Sequence, residues 1–132
     1  MPAASGGMRV LAVGYASTTQ PNYEHIRLVN CDAQDIDLSG WQIKSMQTGD
    51  VYTVPGGVVA RRGCRAAVQI TLNTHTAGNE NAAQGIYSWG RPAGIDEWPK
   101  RAGRVRVIAS TGAVTIDCGY APDPNQLEVS CQ

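Results

Sequence analysis

The sequence predicts an all-β fold in a single domain, and three observations carry the prediction. Val, Ile and Thr number 12, 8 and 9 against 5 Leu, the β-branched bias of pleated, half-buried surfaces. Turn residues punctuate the chain every eight to twelve residues or so, the rhythm of a sandwich or barrel. Between those marks polarity alternates with period two, most cleanly over 41–44 and 64–72. A chain of 132 residues buries about two thirds of its extended surface on folding, which suffices for one core and not for two.

Residues 1–7 (Met1-Pro2-Ala3-Ala4-Ser5-Gly6-Gly7) are small and polar; they are expected to form an N-terminal arm lying on a neighbouring subunit. A first strand is predicted over 8–15 and a second over 23–30, with Ile26 and Leu28 facing in while His25 and Arg27 take the opposite face. Residues 31–35 read as a loop and 36–38 as a short pairing segment before the Ser39-Gly40 turn. Trp41 and Ile43 then alternate with Gln42 and Lys44. Trp41, a large apolar body with one N–H, is expected to fill the gap between sheets. Gln47-Thr48-Gly49-Asp50 turns the chain into a strand over 51–54, where Tyr52 and Val54 share a face. Pro55-Gly56-Gly57 is a strong turn signal, because proline fixes φ and glycine accepts positive φ. A turn at Arg61-Arg62-Gly63 leads into a strand predicted over 64–72.

Residues 73–85 are polar and small and are expected to form an exposed loop, the kind of segment that carries specificity on a plain scaffold. Beyond it, Tyr87, Trp89, Arg91, Ile95 and Trp98 form a candidate interface, since clustered aromatics dominate binding surfaces; the alternative is that the aromatics fill or lid the core. Residues 105–109 and 113–119 flank Ser110-Thr111-Gly112 as a hairpin. Residues 121–132 form a C-terminal extension in which Pro122 and Pro124 disfavour a helix, with a short edge strand at 127–131.

The longest apolar run is 10–13, far short of a bilayer span, so no membrane insertion is expected. The first residues offer neither the cationic start nor the apolar stretch of a signal peptide. The chain is therefore expected to be cytoplasmic at synthesis or to have lost a leader. Eleven Lys and Arg balance eleven Asp and Glu, which points to no polyanionic partner. The distribution is uneven: net −2 over 1–60, +5 over 61–106 and −3 over 107–132. Arg61, Arg62 and Arg65, with Lys100, Arg101, Arg104 and Arg106, form two basic groups. They would meet as one phosphate-binding patch if the hairpin packs beside 61–72; the same charges serve equally as a solvated face and as protection of sheet edges.

Cys31, Cys64, Cys118 and Cys131 are spaced too widely for a zinc knuckle or a thioredoxin-type site. They are candidate disulfides, with separate free thiols as the alternative. Strand parity predicts Cys64 with Cys118, leaving Cys31 with Cys131. His25 and His75 are the only side chains suited to act as a base near neutral pH, and they fall on an outer face and in the polar loop. No Gly-x-Ser-x-Gly elbow is present. Asp32, Asp35 and Asp37 lack the loop of an EF-hand and are expected to cap their own loop. No catalytic residue, metal site or cofactor is predicted.

Tyr23-Glu24-His25-Ile26-Arg27-Leu28-Val29-Asn30, followed by Ile36-Asp37-Leu38-Ser39-Gly40-Trp41-Gln42-Ile43, resembles the lamin tail domain family. Tyr52-Thr53-Val54-Pro55-Gly56-Gly57 is similar to that family's strand running into a proline-glycine turn. Gly103-Arg104-Val105-Arg106-Val107 with Thr111-Gly112-Ala113-Val114-Thr115-Ile116-Asp117 is similar to its closing hairpin. The likeness covers 8–120, with 37–41 its most specific part. It implies an immunoglobulin-like β-sandwich over 8–120 and a non-catalytic role through protein partners. One departure matters: Trp98-Pro99-Lys100-Arg101-Ala102-Gly103-Arg104 stands where many members carry an acidic or asparagine-glycine-aspartate turn, so no metal- or carboxylate-dependent role is carried over.

The resulting expectation is a structural, protein-attachment domain, a decorating or minor structural subunit of a larger assembly such as a virus capsid or tail. It would be made in the cytoplasm and work in a virion or extracellular assembly, which reconciles an absent leader with disulfides. The alternatives are a secreted or cell-surface adhesion module and a weak, non-specific nucleic-acid binder.

Overall fold

The computed structural model describes residues 7–15, 24–75, 81–91, 97–98, 102–121, 123, 125–126 and 128–130. Within them the fold is all-β, with 3-10 turns at Ala66–Val68 and Ala82–Gln84. In chain order the strands are β1 (Met8–Gly14), β2 (His25–Asn30), β3 (Ile36–Asp37), β4 (Gln42–Ser45), β5 (Val51–Thr53), β6 (Val59–Ala60), β7 (Ile70–Asn73), β8 (Ile86–Ser88), β9 (Gly103–Ile108), β10 (Val114–Tyr120) and β11 (Glu128–Val129). A five-stranded sheet has the order β11-β1-β2-β7-β8, a four-stranded sheet the order β10-β9-β4-β5, and β3 with β6 makes a two-stranded ribbon. The pairs are antiparallel except β7 with β8.

Alternation explains the core. Ile26 and Leu28 of β2 and Ile70 and Leu72 of β7 meet Ile43 of β4, Val105 and Val107 of β9, and Cys118 and Tyr120 of β10 in one buried cluster. The two larger sheets therefore close on a single core, an arrangement consistent with a β-sandwich. In β1 the register shifts between Val10 and Ala12. This irregularity carries the inward face from Met8 and Val10 to Val13 and Tyr15, all of which are buried. The 110–112 hairpin forms as predicted, closed by Ala109 N–H donating to the Ala113 carbonyl at 2.9 Å. A second register shift falls between Val114 and Ile116 in β10.

Several expectations are corrected. The strand predicted over 64–72 forms only from Ile70 onward. Gly63 and Cys64 adopt left-handed backbone, φ +99° and +58°, and the Ala66–Val68 turn follows, so the alternation there belongs to a folded-back loop. Cys64 N–H donates to the Asn30 carbonyl at 2.7 Å, and its sulfur is bonded to Cys31. The observed Cys31–Cys64 disulfide excludes the Cys64–Cys118 and Cys31–Cys131 pairings. Strand parity misled because Cys64 is not in a strand but lies against the end of β2. Cys118 is disulfide-bonded too, and Cys131 lies outside the described residues.

Trp41 is half-buried at the margin of the core. Its backbone N–H donates to the Leu38 carbonyl and its own backbone carbonyl accepts Val54 N–H, which fixes it in the turn ahead of β4 and not between the sheets. The tryptophan that fills the interior is Trp98, 0% exposed.

Residues 37–41 form a turn of definite construction. Asp37 Oδ1 accepts Ser39 N–H at 2.9 Å and Ser39 Oγ–H at 2.6 Å. Ser39 Oγ in turn accepts Gly57 N–H at 2.9 Å, tying this turn to the one after β5. The Ser39 hydroxyl, then its amide, holds the Asp37 carboxyl below its usual range. At the other end of the chain, β11 pairs with β1 through Val13 with Val129 and Gly14 with Glu128. The predicted edge strand is thus present and belongs to the five-stranded sheet. The predicted N-terminal arm lies outside the described residues except for Gly7, whose carbonyl accepts Cys31 N–H at 2.8 Å.

Candidate functional site

Glu24 shares the parity of Ile26 and Leu28, so it points inward, and it is completely buried. A carboxylate in that position needs partners to offset its lost hydration. Its two oxygens accept the backbone N–H groups of Glu97 at 3.1 Å and Trp98 at 3.0 Å. His75 Nε2 lies 3.0 Å from Oε1. Pinned in this way, the 97–98 segment delivers Trp98 to the core, where its indole N–H donates to Thr74 Oγ1 at 3.1 Å. His75, expected in an exposed loop, has a side chain only 2% exposed; the loop turns inward at its first residues because Thr74 N–H bonds the Glu24 carbonyl.

A second layer surrounds this centre. The Glu97 carbonyl accepts Ser45 Oγ–H at 2.8 Å and Gln47 Nε2–H at 2.9 Å, while its carboxyl accepts from Thr48 Oγ1 and, at 3.1 Å, from Arg91 Nε. The Arg91 guanidinium also reaches Asp50 at 2.8 Å. Burial pushes the Glu97 carboxyl above its ordinary value; Thr48 opposes the rise, and neighbouring Asp50 adds to it. Asp50 is held low, first by its hydrogen bond with Glu97. The two neighbouring carboxyls thus titrate as a pair whose values are pushed apart, Glu97 up and Asp50 down, with the Arg91 guanidinium between them.

Aromatic rings cover this network. Arg91 lies 5.8 Å above the Trp89 ring, and Trp89 meets Tyr52 at 5.9 Å and Trp98 at 6.3 Å between ring centroids. Of the candidate interface, Trp98 is a core residue and unavailable to a partner. Trp89 and Arg91 are a half-buried lid upon it, Tyr87 is half-buried on β8, and Ile95 lies outside the described residues.

The second histidine sits on the other face of β2. His25 Nε2 contacts the Glu128 carboxylate, which also accepts Arg27 Nε at 2.8 Å and Arg27 NH2 at 2.9 Å. Burial raises the Glu128 pKa, but the hydrogen bonds from His25 and Arg27 outweigh it and leave the carboxyl below its ordinary value. The imidazole reaches Glu128 across Gly14, where a Cβ would lie inside the His25 ring. Gly14 is thus required for close approach and not for a turn.

The basic residues are dispersed. The Arg61 guanidinium and the Arg62 backbone N–H engage Asp35 beside the β3–β6 ribbon, whereas the Arg104 and Arg106 guanidinium groups engage Asp117 across the β9–β10 pair. Lys100 and Arg101 lie outside the described residues, and Arg65 is exposed on the 61–65 loop. Asp35 thus gathers the 61–62 end of one group and Asp117 the 104–106 end of the other. Asp32 caps Ala33 N–H at 2.6 Å, as Asp37 caps Ser39. No group of three or more metal-ligating side chains occurs among the described residues.

One surface feature was missed by sequence reasoning. A groove of about 400 Å³ runs between Gly57, Val59 and Arg61 on one wall and residues 67–70 with Gln84, Gly85 and Tyr87 on the other. Gly57, Val59 and Arg61 share strand parity, a signal obscured because the two-residue β6 was not predicted. The far wall is tight: Gly85 has φ +74°, and a Cβ there would lie 2.7 Å from the Gln69 carbonyl oxygen. Among the described residues, no helix is long and apolar enough to cross a membrane. No protein-family profile matches the chain, and no curated protein matches its sequence.

Proposed function

We propose that the chain is a non-catalytic attachment domain that holds a protein partner in the groove beside β6. The observation that carries this reading is Val59. Among the described residues it is one of three large apolar side chains left exposed, at 39%, and it sits on a strand paired there with β3 alone. An extended segment can add to that edge through its backbone while its side chains rest on Val59 and Tyr87. The histidines support a non-catalytic role, since each is committed to a carboxylate that ties elements of the fold together.

The domain type inferred is the immunoglobulin-like sandwich of the lamin tail family, in which the resembling residues 37–41 have a fold role, linking the turns before β4 and after β5. The setting inferred is a structural or decorating subunit of a larger particle such as a virus capsid or tail. The disulfides at Cys31–Cys64 and Cys118 fit oxidising surroundings. A secreted adhesion module would share these features but work as an isolated monomer.

A displayed peptide library selected on the native chain and counter-selected on Val59→Asp tests the groove. Extended apolar-containing segments that lose binding to the variant are expected, with the melting temperature unchanged. Recovery only of peptides that bind both proteins equally would sink the groove assignment. Sedimentation across a concentration series, with electron microscopy, separates an assembling subunit from a monomeric module.

A further inference from the structure

We infer that the Cys31–Cys64 disulfide is a site of thiol exchange for small anionic thiols, and that it opens before the disulfide at Cys118. This inference goes beyond the groove reading and stands whether or not the groove binds a partner. Three independent features meet at one loop. Cys64 is an exposed residue, whereas Cys31 is 8% and Cys118 2% exposed, so of the bonded pair Cys31–Cys64 it is Cys64 that lies on the side open to an incoming thiolate. Cys64 is the only non-glycine residue with positive φ among the described residues, a backbone that L-residues resist and that the disulfide helps to hold. Arg61, Arg62 and Arg65 are all exposed on the same five-residue loop. Asp35 accepts from the Arg61 guanidinium and from the Arg62 backbone N–H, and the Asp32 carbonyl accepts Gly63 N–H at 3.2 Å, so both acidic residues lie at this loop; three guanidinium groups against two carboxylates leave one net positive charge.

The exchange is balanced as written. A thiolate attacks Cys64 Sγ, a new S–S bond forms there, and the bond to Cys31 breaks. Cys31 leaves as a thiolate and takes a proton from water. The product is a mixed disulfide on Cys64 with a free thiol at Cys31. A second equivalent of the same thiol then reduces the mixed disulfide to a dithiol and is itself oxidised. The arginines act twice, raising the local concentration of a thiol that carries carboxylates and, in the second exchange, stabilising the thiolate that Cys64 becomes as it leaves the mixed disulfide. Cys118 is buried in β10, and the arginines beside it, Arg104 and Arg106, are both engaged by Asp117.

The test uses the native chain. It is incubated with millimolar reduced glutathione near neutral pH, trapped with N-ethylmaleimide and mapped by peptide mass spectrometry. The expected result is a glutathione adduct on Cys64 and alkylation of Cys31 while Cys118 remains oxidised. The rate with glutathione, divided by that with neutral 2-mercaptoethanol, should fall about tenfold in the triple variant Arg61→Gln, Arg62→Gln, Arg65→Gln. Arg65→Gln alone, at an exposed position, should lower the ratio about twofold and serves if the triple variant does not fold. Opening of the Cys118 disulfide first or at an equal rate, an adduct on Cys31, no exchange at all, or an unchanged ratio in the variant that folds would each overturn the inference.

Discussion

The molecule contains two carboxylate–histidine pairs built from the same residue types and put to opposite uses. In the Glu24–His75 pair the side chains are 0% and 2% exposed, while in the Glu128–His25 pair they are 27% and 10% exposed. Glu24 stands at the centre of a dry network that positions the 97–98 segment and, through it, the largest side chain of the core. Glu128 is a strap on the sheet surface, fastening the two-residue β11 across β1 to His25 and Arg27. Chemical identity therefore does not set the importance of a pair; depth and the number of backbone groups depending on it do.

The sharpest way to break this comparison is Glu24→Ala. It leaves two buried backbone N–H groups without their acceptor, removes the carboxylate beside His75, and should destabilise the fold by about 3–5 kcal/mol, read from denaturant midpoints. A loss below about 1 kcal/mol would mean the two pairs are equivalent. Trp98→Ala should cost about 3–5 kcal/mol by cavity formation, and half-buried Trp41→Ala about 1–3 kcal/mol; equal effects would show that the 97–98 segment does not anchor the interior.

On the strap side, Gly14→Ala drives a methyl group into the His25 ring and should cost about 1–3 kcal/mol. Hydrogen exchange should rise around β11 while the amides of Glu97 and Trp98 stay protected. The smallest effect is expected from Glu128→Gln, about 1 kcal/mol or less at neutral pH.

Acidity sharpens the contrast. The folded-state pKa of Glu128 lies below its ordinary 4.5, so its contribution is complete above 4.5 and disappears as pH falls through the depressed value. The gap between wild type and Glu128→Gln should therefore close in acid. Glu97 is raised above 4.5; its contribution is complete below 4.5 and fades as pH climbs through the raised value. Glu97→Gln should flatten the stability profile on that alkaline side, and a profile identical to wild type there would contradict the upward shift of Glu97.

Much of the architecture was legible from period-two alternation. Ile26, Leu28, Ile43, Val105 and Val107 are inward because the pleat puts them there, and the Ser110-Thr111-Gly112 turn announces its own hairpin. Glu24 was legible in principle, having the parity of Ile26 and Leu28, but a carboxylate at an inward position becomes credible only once its distant partners are known. The disulfide was not legible. Whether Cys64 meets Cys31 depends on two consecutive left-handed residues that fold the 61–65 loop onto the end of β2, and a Cys in that conformation leaves no mark in the polarity pattern. Trp41 and Trp98 were likewise indistinguishable by composition, since burial of an indole follows from which segment is tied down.

The irregular register between Val114 and Ile116 has a consequence for how copies of this chain come together. β10 is the longest outermost strand of its sheet, and Val114 at its start is 53% exposed, a combination that in a flat ribbon would template fibril growth. The bulge interrupts the regular ladder near the start of that strand, so a second molecule adding there meets a break in register. Stacking of copies through this rim is discouraged, and ordered association is left to surfaces that can close.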